Sequence, residues 1–274
     1  MVATALTSVC NSAKVSSLSV ADFSAIGLAT AGQGGVTSAN LSAVVDAIAQ
    51  AGGQNRVDTF AELQTLVSAV ATIVSYADDN SQAAPTLATY TNAGLTGVTA
   101  INLAAINSAI DANTVAGVDT KAEMQAVIDA YSAILTEANG GLPDATPASN
   151  PTVLQYASIG ANIVGAATDA ENLNLLNDAI VNLNTVNVDT VAEINALAAT
   201  IDKIMNLAAL ATGSAIPTGT PSMAELSALG LNTTLANTAA EQTAIWQAII
   251  DSVDSGTGVM TILQLQALIN ANAS

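Results

Sequence analysis

The sequence predicts an all-α fold, a tandem array of four small three-helix modules stacked end to end. Three observations predict it. A glycine that closes a short apolar segment recurs as Gly27, Gly94, Gly160 and Gly230, at gaps of 67, 66 and 70 residues. A second phrase follows each glycine: Val57-Asp-Thr-Phe-Ala-Glu62, Val118-Asp-Thr-Lys-Ala-Glu123, Val188-Asp-Thr-Val-Ala-Glu193 and a degenerate Val259-Met-Thr-Ile-Leu-Gln264. Between and behind these phrases, apolar residues recur in steps of three and four, the spacing of one helix face.

The repeat places the modules at 17–83, 84–149, 150–219 and 220–274, with 1–16 read as the tail of a preceding repeat helix. The joints carry the breakers Pro85, then Gly140-Gly141, Pro143, Pro147 and Pro151, then Pro217, Gly219 and Pro221. Proline is tolerated at or just before a first helical turn and punctuates what precedes it.

Each module opens with a short helix, starting after Ser19, Thr86, Thr152 or Ser222. Thr152-x-x-Gln155 and Ser222-x-x-Glu225 read as capping boxes, in which the hydroxyl accepts a backbone N–H and the acid or amide accepts from the cap residue. The repeated Gly27, Gly94, Gly160 and Gly230 then supply the left-handed residue that stops this helix.

A second helix is expected to begin near Thr37, Thr99, Thr168 and Thr238, with boxes at Thr168-x-x-Glu171 and Thr238-x-x-Glu241. Its apolar faces run Leu41, Val44, Val45, Ile48; Leu103, Ile106, Ile110; Leu173, Leu176, Ile180, Leu183; and Ile245, Ile249, Val253.

The third helix carries the clearest signal. Thr59 with Glu62, Thr120 with Glu123, Thr190 with Glu193 and Thr261 with Gln264 form four boxes at one place in the repeat. The Asp before the threonine in three copies is expected to add negative charge at the positive end of the helix dipole. Losing one cap costs about 1 kcal/mol, a large share of a small module's stability. Such a module buries only about 60% of its unfolded surface and needs its neighbours. Val/Thr-rich pieces such as Gly97-Val-Thr-Ala-Ile are too short for strands, and no alternating partner accompanies them.

Composition narrows function. Hydrophobic residues make up 51% and aromatics 3% of the chain, which suits thin helices packed closely. Acidic residues number 22 against 4 basic ones, for a net charge of −18. Nucleic acid is excluded as a partner, because phosphates need Lys and Arg. Anionic membrane surfaces are disfavoured for the same reason. With no run of 18 apolar residues, membrane insertion is not expected, and the first ten residues do not read as a signal peptide. Histidine is absent and Cys10 is the only cysteine. The commonest general base, the commonest metal ligand and any intrachain disulfide are therefore missing.

Asp58 with Glu62, and Asp119 with Glu123, lie one turn apart, a spacing that also suits an acid/base or metal pair. Capping explains the same residues, and Gln264 stands where a catalytic carboxylate could not be replaced. Asp78-Asp79-Asn80 reads as an acidic turn, with a weak calcium site at Asp78 or Asp79 as its only cofactor reading. Gly32-Gln-Gly-Gly35 and Gly94-Leu-Thr-Gly97 read as turns, since neither follows a strand nor precedes Gly-Lys-Ser/Thr. Trp246 reads as packing. Asn40-Leu-Ser and Asn232-Thr-Thr match the short glycosylation pattern.

The phrases spanning 93–110 and 118–129 resemble repeats of giant bacterial cell-surface and secreted adhesin-like proteins. The resemblance extends over almost the whole chain at module level. It implies an extracellular, non-enzymatic role, because such repeats extend a binding domain away from the cell or form surface layers and filaments. The expected function is therefore a spacer or assembly unit, with neighbouring repeats or copies of itself as partners. Four modules with helices of about 22 Å would give a rod of roughly 100 Å. The alternative is a helical binding module that captures a host, matrix or self partner. Met260 and Gln264 depart from the pattern and mark the fourth module as degenerate or terminal.

Overall fold

The computed structural model describes residues 18–51, 57, 59–140, 150–252 and 258–273. Among the described residues the chain is helical, with no strand and one isolated antiparallel bridge between Asn139 and Asn184. Cys10, Asp58, Gly141, Pro143, Pro147 and Val253, and the expected helix tail at 1–16, lie outside the described residues.

Four short helices, α1 (Val20–Ala25), α4 (Leu87–Asn92), α7 (Val153–Ser158) and α11 (Met223–Ala228), end at the repeated glycines. Four long ones, α3 (Phe60–Asp78), α6 (Lys121–Glu137), α10 (Val191–Ala208) and α13 (Ile262–Asn272), start behind the repeated threonines. Between them run α2 (Leu41–Ala51), α5 (Leu103–Ala112), α9 (Ala170–Asn182) and α12 (Ala239–Ile250). A further helix, α8 (Val164–Thr168), precedes α9, and 3₁₀ turns at Val115–Gly117 and Thr185–Asn187 lead into α6 and α10.

Several expected starts are corrected. α2 begins at Leu41 and α5 at Leu103, because Thr37 and Thr99 head loops that precede the helix. In each loop the threonine N–H donates to an asparagine side chain, Asn40 Oδ1 at 2.8 Å and Asn102 Oδ1 at 2.7 Å. The same asparagines donate back to Gly35 O and Gly97 O. The Thr168 box does not form. Thr168 is the last residue of α8, and Asp169 caps α9 by accepting the Glu171 N–H at 2.9 Å. The extra helix has a packing reason: a Cβ on Gly165 would lie 1.9 Å from Asp202 Oδ1 and 2.5 Å from Asn172 Nδ2. Glycine lets α8 close on α9 and α10, where Asn172 donates to Asp202 at 2.8 Å.

The chain divides into two compact units, one up to Ser132 together with Ser158–Gly160, the other Ala133–Ala157 and from Ala161 onward. The division falls inside α6 and α7. In the first unit the core gathers Phe23, Val44, Ile48, Leu63, Val67, Tyr90, Ile106, Ile110 and Met124, all buried. In the second it gathers Tyr156, Leu176, Ile180, Ile194, Ile201, Leu226, Ile245, Ile249 and Leu265. By length and composition α3, of 19 residues, could cross a membrane. Its Leu63, Leu66, Val67 and Val70 are buried, and it packs on α2, α4 and α5 as a core helix does.

Candidate functional site

The recurring phrases build recurring local geometry. At the long helices, Thr59 Oγ1 accepts from Glu62 N–H and Glu62 Oε2 accepts from Thr59 N–H at 2.9 Å. Thr120 with Glu123 and Thr190 with Glu193 repeat both bonds. At α13 the expected box is corrected to half a box: Thr261 Oγ1 accepts from Gln264 N–H at 3.2 Å, but Gln264 Oε1 does not take the Thr261 N–H in return. The boxes at Thr152, Ser222 and Thr238 also close. A box the sequence pattern does not advertise closes at α4, where Thr89 stands in for the acid and accepts the Thr86 N–H at 3.1 Å. Gly27, Gly94, Gly160 and Gly230 have φ of 90°, 74°, 75° and 88°. The residue after each donates back to the buried side chain's own carbonyl, at Phe23, Tyr90, Tyr156 and Leu226, the pattern of a Schellman stop.

The acids of the Asp-Thr phrase lie against their own box glutamates. Burial, then the neighbouring Glu123, raises the Asp119 carboxyl above the usual range, with Asp46 adding to it. Burial and Glu193 do the same to Asp189. Burial first, and like charge second, thus disfavour the ionised form of both acids. A raised folded-state value means stability that is present in acid and lost as pH rises through it. Asp119→Asn is thus expected to raise Tm at pH 7, with the gain disappearing below about pH 4, where the unfolded carboxyl is protonated too. Thermal melts at the two pH values check this.

Two further devices recur that the sequence reading did not name. The first is a relay inside the core. Tyr90 O–H donates to Asn107 Oδ1 at 2.6 Å, and Asn107 Nδ2 donates to Pro85 O at 2.9 Å. Tyr156, Asn177 and Pro151 repeat it at 2.8 and 3.0 Å. Burial raises both phenols well above their ordinary value. The corresponding pairs in the first and fourth copies are Phe23 with Val45 and Leu226 with Trp246. That exchange of a polar pair for an apolar one is the signal that could have found the relay, and it gives Trp246, 7% exposed, a packing role.

The second is an amide latch. Gln125 accepts from Thr96 N–H and donates to Thr96 O, both at 3.0 Å. Gln266 does the same to Asn232, and Asn195 accepts from Asn162 N–H at 2.7 Å. Each ties the residue two beyond the stop glycine to the first turns of the following long helix.

Between copies of the repeat, one contact occurs twice. Asp46 on α2 accepts the Lys121 N–H at the head of α6 at 2.8 Å. Asp178 on α9 accepts the Ile262 N–H at the head of α13 at 2.6 Å. Asp46 and Asp178 hold the same register on their helices, and Lys121 and Ile262 are both first residues behind the box threonine. Each aspartate satisfies a helix-head donor that has no partner within its own helix. In addition, Lys203 on α10 pairs with Glu225 on α11, which, with Ser222, lowers the Glu225 carboxyl.

The remaining candidates are placed as follows. Asp78 and Asp79 line a cleft of about 240 Å³ with Gln33, Asn40 and Gln82. Asp79 accepts from Gln82 Nε2 and from Ser81 N–H, which lower its carboxyl in that order. Among the described residues no group of three or more potential ligands could hold a metal ion. Asn40 is 1% exposed with its amide fully used, so it cannot accept a glycan in the folded chain. Asn232 is exposed. No family model, no curated protein and no solved structure matches this chain.

Proposed function

We propose that the chain is a non-enzymatic structural segment of an extracellular bacterial surface protein, four three-helix modules long, acting as spacer or assembly unit. The observation that carries this reading is the doubled contact between successive copies, Asp46 with Lys121 and Asp178 with Ile262. The helix packing agrees with it. α3 packs on α4 and α5 of the next copy, and α10 on α11 and α12 of the next. A unit whose helices lean on the following unit by a fixed rule can be reiterated, and its stability is then a sum of unit and neighbour terms. The carboxylates point the same way. Glu62, Glu123, Glu193, Glu225 and Glu241 all accept backbone N–H groups at helix heads, a use that holds shape rather than moves protons.

Small-angle X-ray scattering tests the spacer. The expected result is a maximum dimension of roughly 100 Å, four units of about 22 Å helices with their joints. A profile fitted by a sphere of the same mass sinks the reading.

A further inference from the structure

Resting on that reading, we propose that Asn232 is a glycosylation site, its Nδ2 accepting a sugar from a phosphate-activated donor in a step catalysed by a transferase. The acceptor pattern Asn-x-Ser/Thr occurs in the chain at Asn40, Asn232 and Asn272, and the structure sorts the three. Asn40 is 1% exposed, and its Nδ2 donates to Gly35 O at 2.8 Å. Asn272 ends α13 with its Nδ2 donating to Leu268 O at 2.9 Å, and its Ser274 lies outside the described residues. Asn232 is exposed. Among the described residues its bonds run through its backbone and its Oδ1, which leaves Nδ2 unengaged.

Two features present that nitrogen. The first is a pinned backbone. Asn232 N–H donates to Gln266 Oε1 at 2.7 Å, and its carbonyl accepts from Gln266 Nε2 at 3.1 Å. The loop runs between the buried Leu231 and Ala236, and Ala236 N–H closes on Thr233 O at 3.0 Å. The second is the threonine. Thr234 donates to Asn232 Oδ1 twice, from its N–H at 3.1 Å and from its hydroxyl at 2.7 Å. An amide nitrogen shares its lone pair with the carbonyl, so it is a weak nucleophile until a base removes one of its protons. Negative charge then gathers on Oδ1, where both Thr234 donors meet it. The third copy lacks this device. Asn162 holds the same place, two beyond its stop glycine, exposed and latched by Asn195, but Val164 stands where the hydroxyl is needed.

The step balances. A base of the transferase takes one Nδ2 proton, the nitrogen bonds to the anomeric carbon of the sugar, and the bond from that carbon to the phosphate oxygen breaks. The phosphate leaves with the electron pair. Sugars linked to a nucleotide diphosphate or to a lipid diphosphate share this chemistry. The first adds a single sugar, the second a preassembled block. Either adds polar bulk to the loop, beside Leu235, which is 54% exposed.

Mass spectrometry of the intact chain and of its peptides, on protein purified from the cells that make it, tests this. The expected result is sugar on the peptide carrying Asn232 and none at Asn40 or Asn162, a single sugar marking the nucleotide donor and a block the lipid one. Made in the same cells, Thr234→Ser should keep the sugar and Thr234→Ala, shown folded by circular dichroism, should lose it. A wild type without sugar at Asn232 overturns the proposal, as does sugar that persists on Thr234→Ala. A bare Asn232 in a chain with an extended scattering profile overturns only the site and leaves the spacer reading standing.

Discussion

Asn177→Leu is expected to destabilise the second unit by roughly 2–6 kcal/mol, since leucine removes the partner of two buried groups at once and each orphan costs about 1–3 kcal/mol. Tyr156 O–H loses its acceptor and Pro151 O loses its donor. Both residues are buried, Tyr156 at 0% exposure, so water cannot easily substitute. Urea denaturation reads the loss as a lower midpoint at unchanged slope. The double variant Tyr156→Leu with Asn177→Trp copies the apolar pair Leu226 and Trp246 from the fourth repeat. It is expected to recover part of the loss, because it removes the orphaned phenol and refills the space. The double-mutant cycle would then show a coupling of the sign that stabilises the pair. A double variant no better than the sum of its parts would mean the two copies do not build the same cell.

Gly160→Ala is the second large effect, and Gly27→Ala is its control. Both glycines sit in the left-handed region, at φ 75° and 90°, where a side chain costs about 1–2 kcal/mol. At Gly27 that is the whole cost, since a new Cβ meets nothing within 4 Å. At Gly160 the Cβ would lie 2.8 Å from Ala112 O and 2.9 Å from Ala112 C. Those are backbone atoms at the end of α5, so relief requires moving a helix end. Overpacking of this kind adds roughly 1–3 kcal/mol. Asn113, which donates to Ser158 O at 2.9 Å, would shift with it. Thermal or urea unfolding of the two variants compares them directly. Equal losses would show that the close approach at Ala112 contributes nothing.

Much of the local structure was legible because it is written within four residues. A threonine followed three positions later by Glu or Gln sets its own hydrogen bonds at Thr59, Thr120, Thr190 and Thr238. A glycine after a short apolar segment sets its own stop. The reading failed where two local motifs competed. At Thr168 the pattern Thr-x-x-Glu was present, but Asp169 offered a carboxylate one residue later and took the cap. At Thr37 and Thr99 the threonine was correctly marked as an edge, but the asparagine three residues on holds it in a loop and the helix starts after that. The contacts between copies were not legible. Asp46 reaches a donor 75 residues away and Asp178 one 84 away, and no periodicity announces such a pairing. The Tyr–Asn relay lay between these extremes. Its partners are 17 and 21 residues apart, beyond the reach of any motif written within one helical turn.

The amide latches carry a chemical consequence. Gln125 and Gln266 each receive a proton from a loop N–H and give one to the same residue's carbonyl, a task that needs a neutral group with both a donor and an acceptor end. Hydrolysis of either amide to glutamate would keep the acceptor and turn the donor into an anion facing a carbonyl oxygen. A chain with 22 carboxylates thus has two specific places where one more would pry loop from helix.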